Sequence, residues 1–220
     1  MIKKPFEQWL YEEVELAFGL ERIEDLPALS EWLTVRNTLP LIAPIEKLRL
    51  SLRKNVENWN EDEMKTIFIN PFLFYFDFYE PPHYRVFTQR LFTLQTPEVE
   101  ASGRVEWFVA TGKQTPKKPF FFLQEFKPEK NGGNDPLGQL LIAMVDAQIM
   151  NNNPEQILYG CYNIGRFWFF VVLTGKEYAV SRAYDATQTD DLTDMVAILQ
   201  KVKVYIHQQL GLPAPDSFHL

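Results

Sequence analysis

The sequence predicts an α/β (α+β) layer fold, with a central mixed β-sheet flanked by helices and a helical extension at the N-terminus. Three observations carry that expectation. Apolar residues recur at helical spacing through the first third of the chain, then switch to strand alternation from His83 to Phe126. A helix with its own cap follows, then two hairpins and a final helix, an order that implies layered sheet and helices. Phe occurs 18 times and Tyr nine, which favours a sheet-rich core over a helical bundle.

Each element has a local reason. Phe6, Trp9, Leu10, Val14, Ala17 and Phe18 share one helical face, and Gly19 gives a stop. Leu26, Leu29, Trp32 and Leu33 repeat that pattern more briefly. Pro40 and Pro44 interrupt the chain, and Pro44 suits the opening turn of a helix striped by Ile45, Leu48, Leu52 and Val56. Asn60 followed by Glu63 fits a capping box for a helix that buries Met64, Ile67, Phe68 and Phe72. Trp9, Trp32 and Trp59 in this region suit either core or an interface, core first.

The period then changes. Two long strands, 83–94 and 99–111, are joined by a turn near Thr96-Pro97, and 119–126 is a short, nearly all-apolar strand suited to a position inside the sheet. Asn131-Gly132-Gly133-Asn134 reads as loop, and Asp135-Pro136 as the cap and first residue of the next helix. Strands 157–164, 166–173 and 177–184 turn at Gly165 and Gly175, and Leu192, Met195, Val196, Leu199, Val202, Ile206 and Leu210 line the last helix. The expected division is one compact unit, with residues 1–57 as an extension packed on a core of 58–220.

Composition narrows the functional classes. With 46% hydrophobic residues in 220 the chain can bury a sizeable core, and no apolar run approaches the ~20 residues of a membrane span. The charged N-terminal segment leaves no room for a signal-peptide core. A single cysteine, Cys161, excludes an intrachain disulfide, suits a cytoplasmic setting, and with three scattered histidines leaves no structural zinc site. The net charge of −7 argues against unselective coating of nucleic acid. Lysines nonetheless gather at 113, 117, 118, 127 and 130, with Glu125 and Glu129 between them. That run reads either as a solvated loop or as a groove for phosphates.

The chemistry-bearing pattern lies in Gly103-Arg104-Val105-Glu106-Trp107 and, nineteen residues after Glu106, Glu125-Phe126-Lys127. Alternation puts Glu125 and Lys127 on one face of their strand, and Arg104, Glu106, Phe108 and Ala110 on one face of theirs. Burying an acid and a lysine without partners would cost several kcal/mol, so they are expected at a wet strand end, beside each other or a cation. Two carboxylates and an ammonium meeting there would suit a hard divalent cation. Glu125 and Lys127 alone could equally be a structural ion pair. Two further residues are candidates. Gln139 sits on a mostly apolar face of the following helix, and Glu61 falls on the buried face of its helix while Glu63 is occupied in the cap. Paired carboxylates also occur in glycoside hydrolysis, a reading that leaves Lys127 without a role.

Taken together, these residues resemble the PD-(D/E)XK nuclease superfamily. Glu61 followed by Ile69-Asn70-Pro71-Phe72-Leu73 is similar to the opening helix of the nuclease domain in type I restriction motor subunits. Gly103 to Glu106, Glu125-Phe126-Lys127 and Gln139 look like the second acid, acid-x-lysine and helix-glutamine motifs of that domain and of RecB-like nucleases. The similarity covers roughly 58–186, and the superfamily usually carries Asp where this chain has Glu106. The resemblance implies a restriction-endonuclease-like sheet and hydrolysis of phosphodiester bonds with Mg²⁺ or Mn²⁺. Glu106 and Glu125, with the Phe126 carbonyl, would be the metal ligands. Glu61 would serve a second metal or its water, Lys127 would orient the nucleophile or meet charge on phosphorus, and Gln139 would position them. Lys113, Lys117 and Lys118 are the expected phosphate contacts. Nucleic acid, DNA first, is the implied partner, with a homodimer or a larger restriction or repair assembly as further company. The alternative is a module of the same fold that binds nucleic acid or protein without cutting.

Overall fold

The computed structural model describes residues 1–34, 41–127 and 134–215. Pro40, Glu129, Lys130 and the loop expected at 131–133 lie outside the described residues. Nine strands among the described residues form one mixed sheet with helices packed against it. In chain order these are β1 (Ile2–Pro5), α1 (Tyr11–Phe18), β2 (Glu21–Arg22), α2 (Pro27–Leu33), α3 (Ala43–Asn55), α4 (Glu61–Met64), a π-helical stretch (Lys65–Ile69) and α5 (Asn70–Phe74). Then come β3 (Arg85–Gln95), β4 (Val99–Gly112), β5 (Pro116–Lys127), α6 (Pro136–Asn151), β6 (Leu158–Ile164), β7 (Phe167–Thr174), β8 (Glu177–Val180), β9 (Tyr184–Asp185) and α7 (Thr189–Leu210).

The main path through the sheet is β1-β4-β5-β6-β7-β8-β2, with β3 on the other side of β4 and β9 beside β7. β5 and β6 run parallel, so the chain must cross over between them, and α6 is that crossover. The strands around it are antiparallel hairpins. α6 lies over one face of the sheet, burying Leu140, Leu141, Met144 and Val145 with Phe108 and Leu123. α2, α5 and α7 cover the other face, where Trp32, Phe72, Phe122 and Trp168 meet.

Local chemistry explains most boundaries. Asn60 accepts from the Glu63 amide and Glu63 returns a bond to the Asn60 amide, closing the capping box at α4. Asp135 caps α6 by accepting from Leu137, with Pro136 in its first turn. Its second carboxylate oxygen accepts from the Tyr11 amide and so fastens α1 to α6. Gly138 is where the two helices touch: a Cβ there would stand 2.3 Å from the Trp9 carbonyl oxygen.

Four expectations need correction. The opening face is not one helix: Phe6 to Gln8 form a short 3₁₀ turn before α1, so Phe6 and Trp9 are buried while Leu10 is exposed. The first residues also supply strands. β1 pairs parallel with the start of β4 and β2 with β8, segments too short to show a period in sequence. Ile67 is exposed and Ile69 buried, because the wider π turn shifts the phase of the apolar stripe after Met64. On β5, register slips between Val109/Phe122 and Ala110/Phe120, leaving Phe121 as an extra residue. Phe121 and Phe122 consequently join the same core cluster, where simple alternation puts them on opposite faces.

The far end of α7 is tied by one imidazole. His207 Nδ1 lies 2.6 Å from the Pro213 carbonyl, and Nε2 lies 2.9 Å from both Glu80 Oε2 and the Tyr84 hydroxyl. A carbonyl only accepts, so Nδ1 carries a proton. No helix among the described residues is long and apolar enough to cross a membrane.

Candidate active site

Antiparallel register brings the two key acids together. β4 and β5 pair Trp107 with Gln124, and one step further along that register Glu106 falls opposite Glu125. Beyond this point β5 continues to pair with β6 as far as Lys127 and Ile164, while β4 runs on toward β1 and β3. The acids therefore sit where two central strands part. β3 gives way at the same level: its ladder pairs Thr88 with Trp107 and Arg90 with Val105, and Gln89 between them adopts a left-handed backbone at φ 53°. Arg104 donates to the Gln89 carbonyl and holds that irregularity.

Charges alternate around the fork. Lys127 Nζ donates to Glu125 Oε1 at 3.0 Å. Lys65 Nζ donates to Glu106 Oε1 at 2.6 Å and to Glu61 Oε1 at 2.5 Å. Glu125 is 3% exposed, so its ionised form is poorly hydrated. Burial, and then the neighbouring Glu106 charge, push its carboxyl up to about 8 despite the two lysines. Burial likewise raises Glu106, opposed by Lys65 and Lys127. Each of these acids also feels a neighbouring carboxylate, Glu125 that of Glu106 and Glu106 that of Glu61, and such crowding of negative charge is the condition a bound cation relieves.

The structure brings Glu106, Glu125 and Lys127 to one place and attaches Glu61 to it through Lys65. Sequence reasoning missed Lys65. Its signal was the i,i+4 spacing from Glu61, which puts both on one side of the helix. Glu61 is only half-buried, its charge spent on that lysine. Gln139 lies on α6, 8% exposed, with its side-chain oxygen lacking a hydrogen-bond partner. Lys113, Lys117 and Lys118 do not cluster around the acids. Lys113 lies in the turn of the β4–β5 hairpin and Lys117 and Lys118 at the start of β5; Lys113 is seven residues along the chain from Glu106, on the order of 20 Å at ~3.3 Å per residue.

Donor chemistry suits a hard divalent cation at Glu106 and Glu125, whose oxygens are the right type. Among the described residues no three Asp, Glu, His or Cys side chains gather into a metal-binding group. A cation held here would thus take two carboxylates and complete its shell with backbone oxygen and water, as Mg²⁺ commonly does.

No family model matches the chain, and no curated protein matches it. Among solved structures it is similar to the "cryoEM structure DrdV-DNA complex", at 13% identity and a TM-score of 0.35. The alignment covers 71% of this chain and 13% of that one, so the chain spans a small part of that neighbour's length. A likeness at that level carries no argument about function.

Proposed function

We propose that the chain is a divalent-cation-dependent hydrolase of nucleic-acid phosphodiester bonds, with DNA as its substrate. The observation that supports this is Glu106 facing Glu125 at the fork of β4 and β5, with Lys127 beside them. Glu106, Glu125 and the Phe126 carbonyl would hold Mg²⁺ or Mn²⁺. When bound, the ion supplies Lewis-acid polarisation of the phosphate and lowers the pKa of a bound water. Lys127 Nζ, tethered to Glu125, would meet negative charge that develops on the phosphate. Lys65 holds Glu106 in place, and Glu61 in turn holds Lys65. Glu61 stays in this reading as a ligand of metal-bound water or a second ion, and Gln139 as a positioning residue from α6. Lys113, Lys117 and Lys118 would meet the backbone of a longer substrate, several nucleotides away. Residues 58–220 carry the site and 1–57 are its extension. A cytoplasmic setting and a dimer or larger assembly belong to the same reading.

One observation favours a second reading, a non-cutting module of the same architecture. Lys65 already puts a cation between Glu61 and Glu106, and an ammonium fixed there would do structurally what a metal does chemically. Incubation of linear and circular DNA with Mg²⁺ or Mn²⁺, beside Lys127→Ala and Glu125→Gln, separates the two. Metal-dependent degradation lost in both variants supports hydrolysis; degradation that survives them marks a contaminant. Intact DNA, together with no heat of Mn²⁺ binding, favours the silent module.

A further inference from the structure

A cavity of about 580 Å³ opens directly beside the fork, with Lys65 and Glu106 in its wall. Cavities of this size accept small-molecule-sized ligands. Its lining is rich in flat rings: Phe74, Phe78, Tyr79, Trp107 and Phe126. Phe78 and Trp107 are buried and pack edge to face at 5.5 Å, which makes them a floor. Phe74 is 82% exposed and Tyr79 54%, so two rings stand largely open to solvent at the rim. Apolar side chains gathered at the rim of one cavity are of the kind found at ligand-binding grooves. Arg85, also on the wall, holds its guanidinium 5.4 Å from the Tyr79 ring and donates to the Lys113 carbonyl. Its Nε is buried with no hydrogen-bond partner, which leaves the rest of the guanidinium as the part that can meet a ligand.

The charges of the lining select among ligands. Asp62, Asp77 and Glu106 outnumber Lys65 and Arg85, which disfavours a phosphate inside the cavity. A neutral planar ring with polar edges suits it better: faces for Phe74 and Tyr79, a carbonyl or ring nitrogen for Arg85, an exocyclic amine for a carboxylate. We propose that the cavity receives an unpaired nucleobase of the strand whose phosphate lies at Glu106 and Glu125. The site then prefers single-stranded or frayed nucleic acid, since a duplex base must first be unpaired and unstacked to enter. This rests on the nucleic-acid reading of the fork and adds the substrate's strandedness to it.

The test is fluorescence anisotropy of the full chain with a labelled single-stranded oligonucleotide and a blunt duplex of the same sequence, with Ca²⁺ replacing Mg²⁺. The single strand is expected to bind at least about tenfold more tightly. Tyr79→Ala and Phe74→Ala, both at exposed positions, should each weaken single-strand binding by about tenfold and leave the duplex unchanged. Equal affinities, indifference to both variants, or no binding of either probe overturns the proposal. A parallel cleavage assay with Mg²⁺ or Mn²⁺ keeps the two readings apart. Ring-dependent single-strand binding without cleavage sinks hydrolysis and leaves the cavity standing. Cleavage of both probes alike, unaffected by Tyr79→Ala, removes the cavity alone.

Discussion

Lys65 reaches from the π-helical stretch to Glu106 on β4 across 2.6 Å, the one ion pair between helix and sheet at the fork among the described residues. Both side chains are largely withdrawn from water, so the pair is worth more than a surface salt bridge and less than a fully buried one.

Replacing Lys65 with Met should therefore destabilise the metal-free protein by about 1–3 kcal/mol, because Glu106 keeps its burial and loses its nearest cation. Added Mn²⁺ should then raise the melting temperature of Lys65→Met by more than it raises the parent's, since ammonium and metal compete for the same oxygen. Thermal melts in EDTA and in Mn²⁺ check this. An equal shift for both proteins, or none, would mean that no cation competes for Glu106.

Glu106→Gln should bring the Glu125 titration down in the metal-free protein. Burial is the larger cause of its raised value and remains, but the repulsion from Glu106 goes. Carbon-13 NMR of the labelled carboxyls follows the midpoint directly. An unmoved Glu125 would show that the two acids are too far apart to feel one another.

Asp146 is a separate case on the inner face of α6. It is 2% exposed, its Oδ2 has no hydrogen-bond partner, and burial alone pushes it up to about 7 from 3.8. The folded chain holds this proton up to about pH 7, whereas the unfolded chain releases it near 3.8. The group's contribution is complete below 3.8 and drains away as pH climbs to about 7. Asp146→Asn should thus stabilise by a few kcal/mol at about pH 8 and change little below about pH 4, read from urea unfolding at each pH.

Gly138→Ala should destabilise by roughly 2–3 kcal/mol although alanine favours helix by about 1 kcal/mol. The added methyl would meet backbone at Trp9, which cannot step aside as a flexible side chain could. A melt equal to or above the parent's would show that α1 and α6 can slide apart freely.

Much of the architecture was legible because strong periodicities and caps wrote it locally. The capping box at Asn60, the Asp135-Pro136 opening and the long alternations of β3 and β4 are each specified by residues within a few positions. β1 and β2 were not legible: four and two residues show no period, and only their distant partners make them strands. At the fork, the acids and Lys127 could be read from alternation, since each lies on a strand. Lys65 could not be linked to Glu106, because that contact spans 41 residues and depends on how the π turn meets the sheet. The lysines at 113 to 118 misled for the opposite reason. Closeness in sequence to Glu125 hid the length of the hairpin, which carries them to its far end.

The extra residue at Phe121 has a bearing on how this hairpin can vary. A strand paired without slips would transmit any gain or loss of one residue at the tip straight to Glu125, exchanging that acid with its neighbours Gln124 and Phe126. Here Phe121, with Lys118 and Pro119 at a second slip nearer the tip, acts as slack between a changeable tip and an end clamped by β6. The tip that bears Lys113 to Lys118 is thus free to be lengthened, shortened or recharged while the acids keep their aim.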